Sequence, residues 1–538
     1  MEKKGDFADN KNLLIISLIA IGVGAVCAYI AKLLLLLIYF CTNIFYFHDF
    51  SLKFNSPANN HLGLYSILVP AVGGLIIGLM ARYGSDRIRG HGIPEALEAI
   101  LFGKSKMSPK VAILKPLSSA ISIGSGGPFG AEGPIIMTGG AFGSIIAQAF
   151  HLTASERKTL LVAGAAAGMS AIFASPVAAV LLSVELLLFE WKPRSLIPVA
   201  LASAVAAVIR ISLFGAGPLF PIQAHTAVGG NIVFSAALVG LMAGALSTML
   251  SGLVYKFEDL FLKLPIHWMW WPVFGGLAVG IGGYFQPRAL GVGYDVISDL
   301  LNGNLLPQVI IGLILVKCLI WAIALGSGTS GGVLAPLLIV GGGMGALMGN
   351  FLPSPSHSFW PLIGMAAVLG GMMRSPFTGT IFALELTGDV NALLPLLIAS
   401  VMGHAFTVLV MKRSILTEKV ARRGFHIFRE YSVDILERIH ADEIMTSDVE
   451  AVPADLSIRE VIEKYFGSTQ RHLGYPVIND AKQFLGMVSR RDIIKAIENP
   501  LSDTKISDVL EKTMPVAFPK DSCRNITEQM ARPRRFYS

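Results

Sequence analysis

Long apolar segments separated by short polar stretches run through residues 12–412 of this 538-residue chain. The first segment, residues 12–40, contains one charged residue, Lys32, and exceeds the roughly 20 residues that a helix needs to span a bilayer. It is also too long for the apolar core of a signal peptide, so we predict a long, tilted transmembrane helix. The further apolar segments, also predicted to be helices, are residues 61–82, 111–123, 134–150, 159–170, 176–190, 196–214, 231–253, 268–286, 306–325, 334–352, 360–373, 376–387 and 391–411.

Many of these segments are too short to cross a bilayer, and glycine or proline stands at their ends. This pattern predicts broken helices that stop inside the membrane, where exposed backbone is tolerated only if it is buried in protein or lines a cavity. Glycine spacings such as Gly341 to Gly345 also suit close helix packing, and we expect packing to account for most of the 56 glycines.

One set of motifs occurs twice, at an offset of 200–202 residues. The pairs are Gly90-His91-Gly92 with Gly291-Val292-Gly293, Lys115 with Lys317, Gly124-Ser125-Gly126 with Gly326-Ser327-Gly328, Pro134 with Pro336, Pro176 with Pro376, and Glu185 with Glu385. They indicate two copies of one apolar unit. Repeats interrupted by glycine and proline in a membrane protein indicate a transport site between the two halves.

Composition supports a membrane domain followed by a soluble tail. The chain is 53% hydrophobic and 15% charged, against about 25% charged in soluble domains, whereas residues 413–538 have an ordinary soluble composition. Four cysteines form no CxxC pair, which suggests neither disulfides nor a metal site.

The formal net charge is +7, and many of the basic residues outside the tail lie in short loops, near the N-terminus or in the run that follows the last apolar segment. They include Lys3, Lys4, Arg82, Arg87, Arg89, Lys104, Lys106, Lys110, Arg157, Lys158, Lys192, Arg194, Arg413, Lys419, Arg422 and Arg423. Positive-inside logic predicts a multi-pass protein of the cell (inner) membrane with these loops and both termini in the cytoplasm. The charges are dispersed and lack interleaved aromatic residues, so we expect no nucleic-acid partner.

The tail reads as a small α/β module. Strands are predicted over residues 449–452, 476–478 and 484–488, and helices over residues 457–465 and 491–497. A second copy of the module begins at Ile506.

The paired loops have a chemical consequence. Proline favours the first turn of a helix, so Pro94, Pro134 and Pro336 mark predicted helix starts, each preceded by glycines that let backbone approach a ligand. Several helix N-termini that converge inside the membrane make an anion site without a fixed cation. A cation pathway would need carboxylates or carbonyls instead. The alternative is that these loops only break and pack helices.

Three motifs carry a family resemblance: GHGIP at 90–94, GSGGPFGAEGP at 124–134 and GGVLAP at 331–336. Over residues 10–425 the chain resembles the CLC chloride channels and proton/chloride exchangers. The resemblance implies an all-α polytopic membrane fold with two inverted-topology repeats and one pore in each subunit of a homodimer.

The tail resembles a pair of CBS domains, through Pro476-Val477, Gly486 and Ser489-Arg490-Arg491-Asp492, with the second copy truncated. The predicted organisation is a transmembrane domain over 1–425 with repeat halves 12–214 and 231–425, a linker over 426–440, a first cytoplasmic α/β CBS domain over 441–498 and a partial second over 504–538.

Comparison of the two repeat copies separates structural from functional candidates. Features in both copies, such as Glu185 and Glu385, are expected to build the fold. Glu132 stands opposite Leu334 and is present in one copy only. A carboxylate at the anion position competes with the permeating ion until it is protonated or swings away, and by resemblance Glu132 is the gating glutamate.

His91 is also unpaired, since its counterpart is Val292. The family commonly has serine here, whose hydroxyl helps to bind the central anion. An imidazole also donates a hydrogen bond and titrates near neutrality, or else His91 turns aside and only its backbone contributes. The anion-binding residues that the resemblance implies are Gly90, His91, Gly92, Ile93, Pro94, Gly130, Ala131, Val333, Leu334 and Leu416.

The chain departs from the family at several positions. Leu186 stands where exchangers have their intracellular proton glutamate, and Leu416 where the pore tyrosine is expected. Leu334 replaces a usual phenylalanine, and Ala131 a usual basic residue. The anion site should therefore depend on backbone amides, and the loss at Leu186 favours a passive chloride channel. A proton-coupled chloride antiporter is the alternative, with water or Glu190 as proton carrier; selectivity among anions stays open.

A different class of function is a ligand sensor in which the tail is the active part. Ser489 and Asp492 resemble the adenosine-ribose pattern of CBS domains, which needs both copies, so an adenine nucleotide is the one cofactor considered. We expect no enzyme, because the sequence has no metal-ligand cluster and no nucleophile–base constellation, and its Gly-rich loops lack the GK[ST] ending of a phosphate loop. The expected partners are chloride or other small anions, protons in the antiporter case, membrane lipid and a second copy of the chain.

Overall fold

The computed structural model describes residues 12–223, 229–425, 427, 436, 439–467, 472–498, 505–508, 510 and 517–531. Lys3 and Lys4, most of the predicted linker 426–440 and parts of the predicted second CBS domain 504–538 lie outside the described residues. The chain divides into two compact units, Met1–Glu430 and Tyr431–Ser538.

In the described part of the first unit, helices joined by loops are the main regular elements. In chain order its helices are α1 Leu13–Thr42, α2 Leu68–Tyr83, α3 Ile93–Leu101, α4 Pro109–Gly124, α5 Glu132–Ala149, α6 Ala154–Phe173, α7 Pro176–Leu182, α8 Pro193–Phe214, α9 Gly230–Leu262, α10 Trp271–Phe285, α11 Tyr294–Leu301, α12 Pro307–Gly326, α13 Leu334–Gly349, α14 Phe359–Met373, α15 Pro376–Thr387, α16 Leu393–Val410 and α17 Ile415–Arg422. Single π-helical turns, Asn43–Phe47 and Ser183–Leu188, extend α1 and α7.

Length and apolar composition mark membrane-crossing segments among these helices. Among the described residues, six helical segments qualify: Leu13–Phe47, Gly63–Tyr83, Pro193–Phe214, Gly230–Leu262, Pro307–Gly326 and Val390–Arg422. Shorter apolar segments such as Leu334–Gly349 and Phe359–Met373 lie between them. Helices long enough to span a membrane and shorter apolar helices therefore occur in the same unit, as the broken-helix pattern predicted.

The two halves repeat one arrangement. Helices α1–α8 correspond in order to α9–α16, and their packing matches: α5 packs on α6 as α13 packs on α14, and α6 packs on α8 as α14 packs on α16. The halves meet where α2 crosses α10. A Cβ added to Gly74 would collide with the Pro272 carbonyl, and one added to Gly276 with the Pro70 carbonyl. The two backbones approach this closely because glycine stands at both positions.

Pro94, Pro134 and Pro336 lie in the first turns of α3, α5 and α13, as predicted, and these helices begin one or two residues earlier, at Ile93, Glu132 and Leu334. Three short helices, α3, α11 and α17, were not among the predicted apolar segments. Each has eight or nine residues, too few for hydrophobic periodicity to stand out along the sequence.

The second unit holds a three-stranded sheet in the order β1-β2-β3. Its elements are α18 Ala441–Ile444, β1 Val452–Pro453, α19 Ile458–Tyr465, β2 Gly474–Ile478, β3 Phe484–Ser489, α20 Arg490–Glu498 and α21 Cys523–Ala531. Strand β1 pairs parallel to β2, and β2 antiparallel to β3. Strand β1 is shorter than the predicted strand 449–452 and begins only at the last residue of that range, Val452. Val449 is 54% exposed, whereas Val452 lies in the core of this unit.

Candidate anion-binding site

Loops from the two halves meet at the centre of the first unit. Gly130 and Gly332 exchange backbone hydrogen bonds, 2.8 Å from the Gly332 amide to the Gly130 carbonyl and 3.2 Å in the other direction. The Gly90 amide donates to Thr329 O at 3.2 Å, and Gly90 also pairs with Ser330 as an isolated β-bridge. The loops before α3, α5 and α13 therefore form one connected element.

The paired lysines fix two of the loops. Lys115 Nζ, fully buried, donates to Ile88 O at 2.8 Å and to Gly90 O at 2.7 Å. Lys317 Nζ donates in the same way to Ala289 O at 2.9 Å and Gly291 O at 3.0 Å. Each ammonium binds the carbonyls of the loop that precedes α3 or α11. This geometry is the fold-building role predicted for residues present in both copies.

The Glu132 carboxylate lies at the N-terminus of α13, in the other half of the molecule. Its Oε1 accepts hydrogen bonds from the amides of Leu334 and Ala335, the latter at 3.2 Å. The side chain is 0% exposed. A Cβ on Gly332 would lie 2.5 Å from Glu132 Oε1, and one on Gly130 would also collide with the carboxylate. Two glycines therefore make the space that the carboxylate fills.

This arrangement has a direct chemical meaning. The first amides of a helix lack intrahelical partners and carry partial positive charge, so they bind negative oxygen or a small anion. The carboxylate of Glu132 occupies that position itself. Its departure, or the loss of its charge, would leave the amides of Leu334 and Ala335 to another anion. Sequence reasoning named Leu334 but not Ala335, whose apolar side chain gives no sign that its amide is used.

His91 is buried beside this site, at 2% exposure. Its Nδ1 has no hydrogen-bond partner among the described residues, and the ring lines a small cavity with Tyr255, Glu258 and Lys419. The neighbouring Gly92 amide is already used, since it donates to Glu95 Oε2 at 2.9 Å. Within the described structure, the His91 imidazole therefore has a polar atom available to a ligand, whereas the Gly92 amide is occupied.

Helix α17 closes the same region through ion pairs with α3. Glu95 Oε1 lies 3.0 Å from Arg423 Nη2 and 3.6 Å from Lys419 Nζ, and Arg423 Nη1 lies 2.6 Å from Glu98 Oε2. Leu416 is fully buried in this helix. The cavity beside His91 is lined instead by its neighbour Ile415.

Tyr255 on α9 lines that cavity and donates its hydroxyl to the Ile415 carbonyl. A tyrosine hydroxyl therefore does lie next to the position where the sequence shows leucine. No local sequence pattern relates α9 to α17, so Tyr255, Glu258 and Lys419 could not be predicted as neighbours of this site.

Glu185 and Glu385 cap each other's helices. Glu385 accepts from the amides of Val177 and Ala178 at 3.0 and 2.8 Å, at the start of α7. Glu185 accepts from the amides of Phe377 and Thr378 at 3.3 and 2.9 Å, at the start of α15. The reciprocal geometry agrees with the structural role predicted for this pair.

Leu186 and Glu190 are the two positions at which a proton carrier was considered. Leu186 is fully buried and carries no ionisable group. Glu190, the proposed substitute proton carrier, lies 3.7 Å from Lys158 Nζ and 3.3 Å from Lys192 Nζ. Its charge is therefore matched by two lysines.

In the tail, Ser489 and Asp492 bind each other. Asp492 Oδ2 accepts from the Ser489 amide at 2.9 Å and from its hydroxyl at 2.5 Å, at the start of α20. Ser457 and Glu460 form the same capping box at α19, where the Ser457 amide and then its hydroxyl hold the pKa of Glu460 below its ordinary value. The pair predicted to bind ribose therefore acts as a helix cap in this structure.

Comparison with known families agrees with this geometry. A model described as "Voltage gated chloride channel" matches residues 73–408, more than half of the chain. A CBS domain model matches residues 441–499. The chain is 28% identical over 348 residues to the "Putative chloride channel protein ClcB-like" of Ralstonia nicotianae (strain ATCC BAA-1114 / GMI1000), an alignment that covers 63% of this chain and 81% of that protein.

Solved structures share the fold. A "slow cyanobacterial Cl-/H+ antiporter" superposes with a TM-score of 0.68 at 20% identity, over 77% of this chain and 99% of that one. A "eukaryotic CLC transporter" superposes with a TM-score of 0.65 at 19% identity, over 96% of this chain and 93% of that one. The predicted fold class is confirmed: a multi-pass, all-α membrane domain with two inverted-topology repeats, followed by an α/β CBS module.

Proposed function

This chain belongs to the CLC family of voltage gated chloride channels, and on that premise we propose that it conducts chloride passively through one pathway per subunit, with Glu132 as the gate. The observation that carries the proposal is the Glu132 carboxylate on the amides of Leu334 and Ala335. When the Glu132 carboxylate occupies the anion-binding position, chloride cannot bind there and the pathway is closed.

The gate opens when the carboxylate gives up these amides. Protonation removes the charge that the helix N-terminus attracts, and rotation of the side chain removes the oxygen itself. After either change, the amides of Leu334 and Ala335 can bind a chloride ion in the space beside Gly130 and Gly332. The remaining residues of the pathway are then the loop Gly90–Pro94 with His91, the Gly130-Ala131 backbone, Val333 and the buried, apolar Leu416.

Two observations support passive conduction over proton exchange. Leu186 cannot carry a proton, and Glu190 is held by Lys158 and Lys192. The alternative is a proton-coupled chloride antiporter, the activity named for the cyanobacterial structure of the same fold.

Simultaneous measurement of chloride and proton flux in proteoliposomes tests the proposal. With a chloride gradient and the membrane potential clamped by an ionophore, we expect chloride movement without proton movement. A steady proton flux in fixed ratio to chloride would refute passive conduction and establish the antiporter. Liposomes without protein serve as the control for leak.

The orientation proposal is that the basic loops face the cytoplasm. Arg157 Nε donates to Lys104 O at 2.9 Å, and Lys158 Nζ donates to Leu188 O at 3.0 Å and lies close to Glu190. Loops that carry many of the basic residues therefore lie together, as the positive-inside rule favours for an inner face. A cysteine placed at exposed Lys106 should react with a membrane-impermeant maleimide only after cells are permeabilised; labelling of intact cells would reverse the orientation.

We also propose a homodimer. The reciprocally capped helices α7 and α15 leave Val177 and Phe377 54% and 56% exposed at matching positions of the two repeats. A second copy would bury this symmetric apolar face. Stepwise photobleaching of singly labelled protein in liposomes should show two steps per spot, and a single step throughout would refute the dimer.

A further inference from the structure

Glu132 Oε2 and the Tyr294 hydroxyl are two of the buried oxygens of the first unit that have no hydrogen-bond partner among the described residues. Buried polar groups in proteins are nearly always paired, so each unpaired one calls for an explanation. One oxygen is an acceptor and the other carries a donor proton. Their chemistry is complementary.

Tyr294 has no tyrosine counterpart in the first half of the repeat. It is the first residue of α11 and follows Gly293, while its counterpart in the first half, after Gly92, is Ile93. The hydroxyl is therefore present in one copy only, like the Glu132 carboxylate and the His91 imidazole. Because the repeats are inverted, the loop of Tyr294 enters from the membrane face opposite the His91 loop.

The surroundings fix the position of this hydroxyl. The Tyr294 ring packs edge-on against Phe173 and Phe220, with centroids 6.4 and 6.0 Å away. Its loop is anchored by the Gly291 amide on Gly126 O at 3.0 Å and by Lys317 Nζ on Gly291 O at 3.0 Å. A donor held in this way needs little reorganisation to receive a carboxylate.

The charged and titratable groups around Tyr294 favour Glu132 as its partner. The Glu132 carboxylate acts electrostatically on the hydroxyl, as does the hydroxyl of Tyr39 from α1. Lys317 Nζ lies 3.8 Å from a Cβ placed on Gly293, but it donates to loop carbonyls, and Asp295 acts on Lys317. Among these groups, Glu132 is the carboxylate that acts electrostatically on the Tyr294 hydroxyl.

We propose that Tyr294 is a positioning residue that receives the Glu132 carboxylate when it leaves the amides of Leu334 and Ala335. The phenol O–H then donates a charge-assisted hydrogen bond to the departed carboxylate, which replaces the amide bonds that it gave up. The gate can thereby open while Glu132 is still ionised. This inference rests on the proposed function, because it assumes that Glu132 is the gate.

The test is Tyr294→Phe, which deletes the hydroxyl and keeps the ring packing. Chloride efflux from proteoliposomes is measured across neutral and acidic pH. We expect flux at neutral pH to fall about tenfold, since a hydrogen bond to a charged group contributes about that factor or more. Flux at acidic pH should stay unchanged, because a protonated Glu132 needs no hydroxyl to receive it. A drop of equal size at every pH, or no drop at all, would overturn the proposal.

Two controls separate positioning from a structural effect. Tyr46→Phe removes another buried hydroxyl, one that donates to Ser125 O at 2.9 Å, and should not change the shape of the pH profile. In the Glu132→Gln background, Tyr294→Phe should have no effect on flux; a loss there would show that Tyr294 acts without Glu132 and would overturn the inference. If Glu132→Gln itself leaves the pH profile unchanged, the gate assignment fails. If only Tyr294→Phe is silent, the inference alone fails.

Discussion

Replacement of Glu132 by glutamine removes a charge and little else. Glutamine has the same length and still offers one oxygen to the amides of Leu334 and Ala335, so the shape of the site is preserved. The neutral amide of glutamine lacks the negative charge that the N-terminus of α13 attracts. We expect the variant to be open over a pH range in which the wild-type protein is closed.

The structure sets the magnitude. Oε1 accepts two hydrogen bonds, and a bond to a charged group contributes about 1.5–3 kcal/mol. Charge-assisted bonds are about twice as strong as neutral ones. Loss of the charge should therefore weaken the closed state by roughly 2 kcal/mol, which corresponds to about thirtyfold in occupancy of the amides.

The assay is chloride efflux from proteoliposomes as a function of pH. Wild-type flux should rise as pH falls, whereas Glu132→Gln should conduct at its high level throughout. Glu185→Gln is the matched control, because Glu185 also accepts two amide bonds, at α15, yet lies outside the proposed gate. The reasoning is refuted if the Glu132→Gln profile keeps the pH dependence of the wild type, or if Glu185→Gln abolishes it.

The remaining predictions concern selectivity, scaffold and tail. His91→Ser should change the permeability ratios among chloride, nitrate and bromide in anion-substitution recordings, since no described residue pairs with Nδ1; identical ratios would mean that only the backbone contributes. Glu385→Gln should lower the free energy of unfolding by about 1.5–3 kcal/mol, because the caps on Val177 and Ala178 weaken, with an unchanged pH profile of flux; an unchanged melting curve in detergent would argue against the cap. Ser489→Ala should destabilise the tail by about 1 kcal/mol through loss of its helix cap. Titration calorimetry with ATP, ADP and AMP on the full chain should give the same result before and after this change, and heat that disappears with the serine would restore the ribose role.

Much of the membrane domain could be predicted because its signals are local. Apolar runs, prolines in first turns and the doubled motifs each lie within a short stretch of chain, and they located most of the helices. The short helices α11 and α17 escaped, and α3 was marked only at its start by Pro94, because two turns carry little periodicity. The tail strand β1 was placed too early, since β-branched residues mark a strand without marking its register.

Part of the candidate site could also be predicted, from differences between the two repeat copies. Subtraction of one repeat copy from the other singled out Glu132 and His91, because asymmetry between copies is visible in the sequence. The same subtraction applied to Ile93 and Tyr294 would have found the tyrosine. It could not have found Tyr255, which lies beside α17 only through the packing of the two halves.

By itself, the sequence determined that two similar apolar halves carry glycine and proline loops, and that one copy alone holds a carboxylate in its loop. Hydrophobic length, backbone preference and repetition are properties of the chain, so they can be read in order. Only the tertiary structure decided that this carboxylate binds Leu334 and Ala335 of the other half, and that Glu185 and Glu385 cap each other's helices. Those contacts join residues about 200 positions apart, and their partners are backbone amides, which every residue but proline carries and no sequence distinguishes.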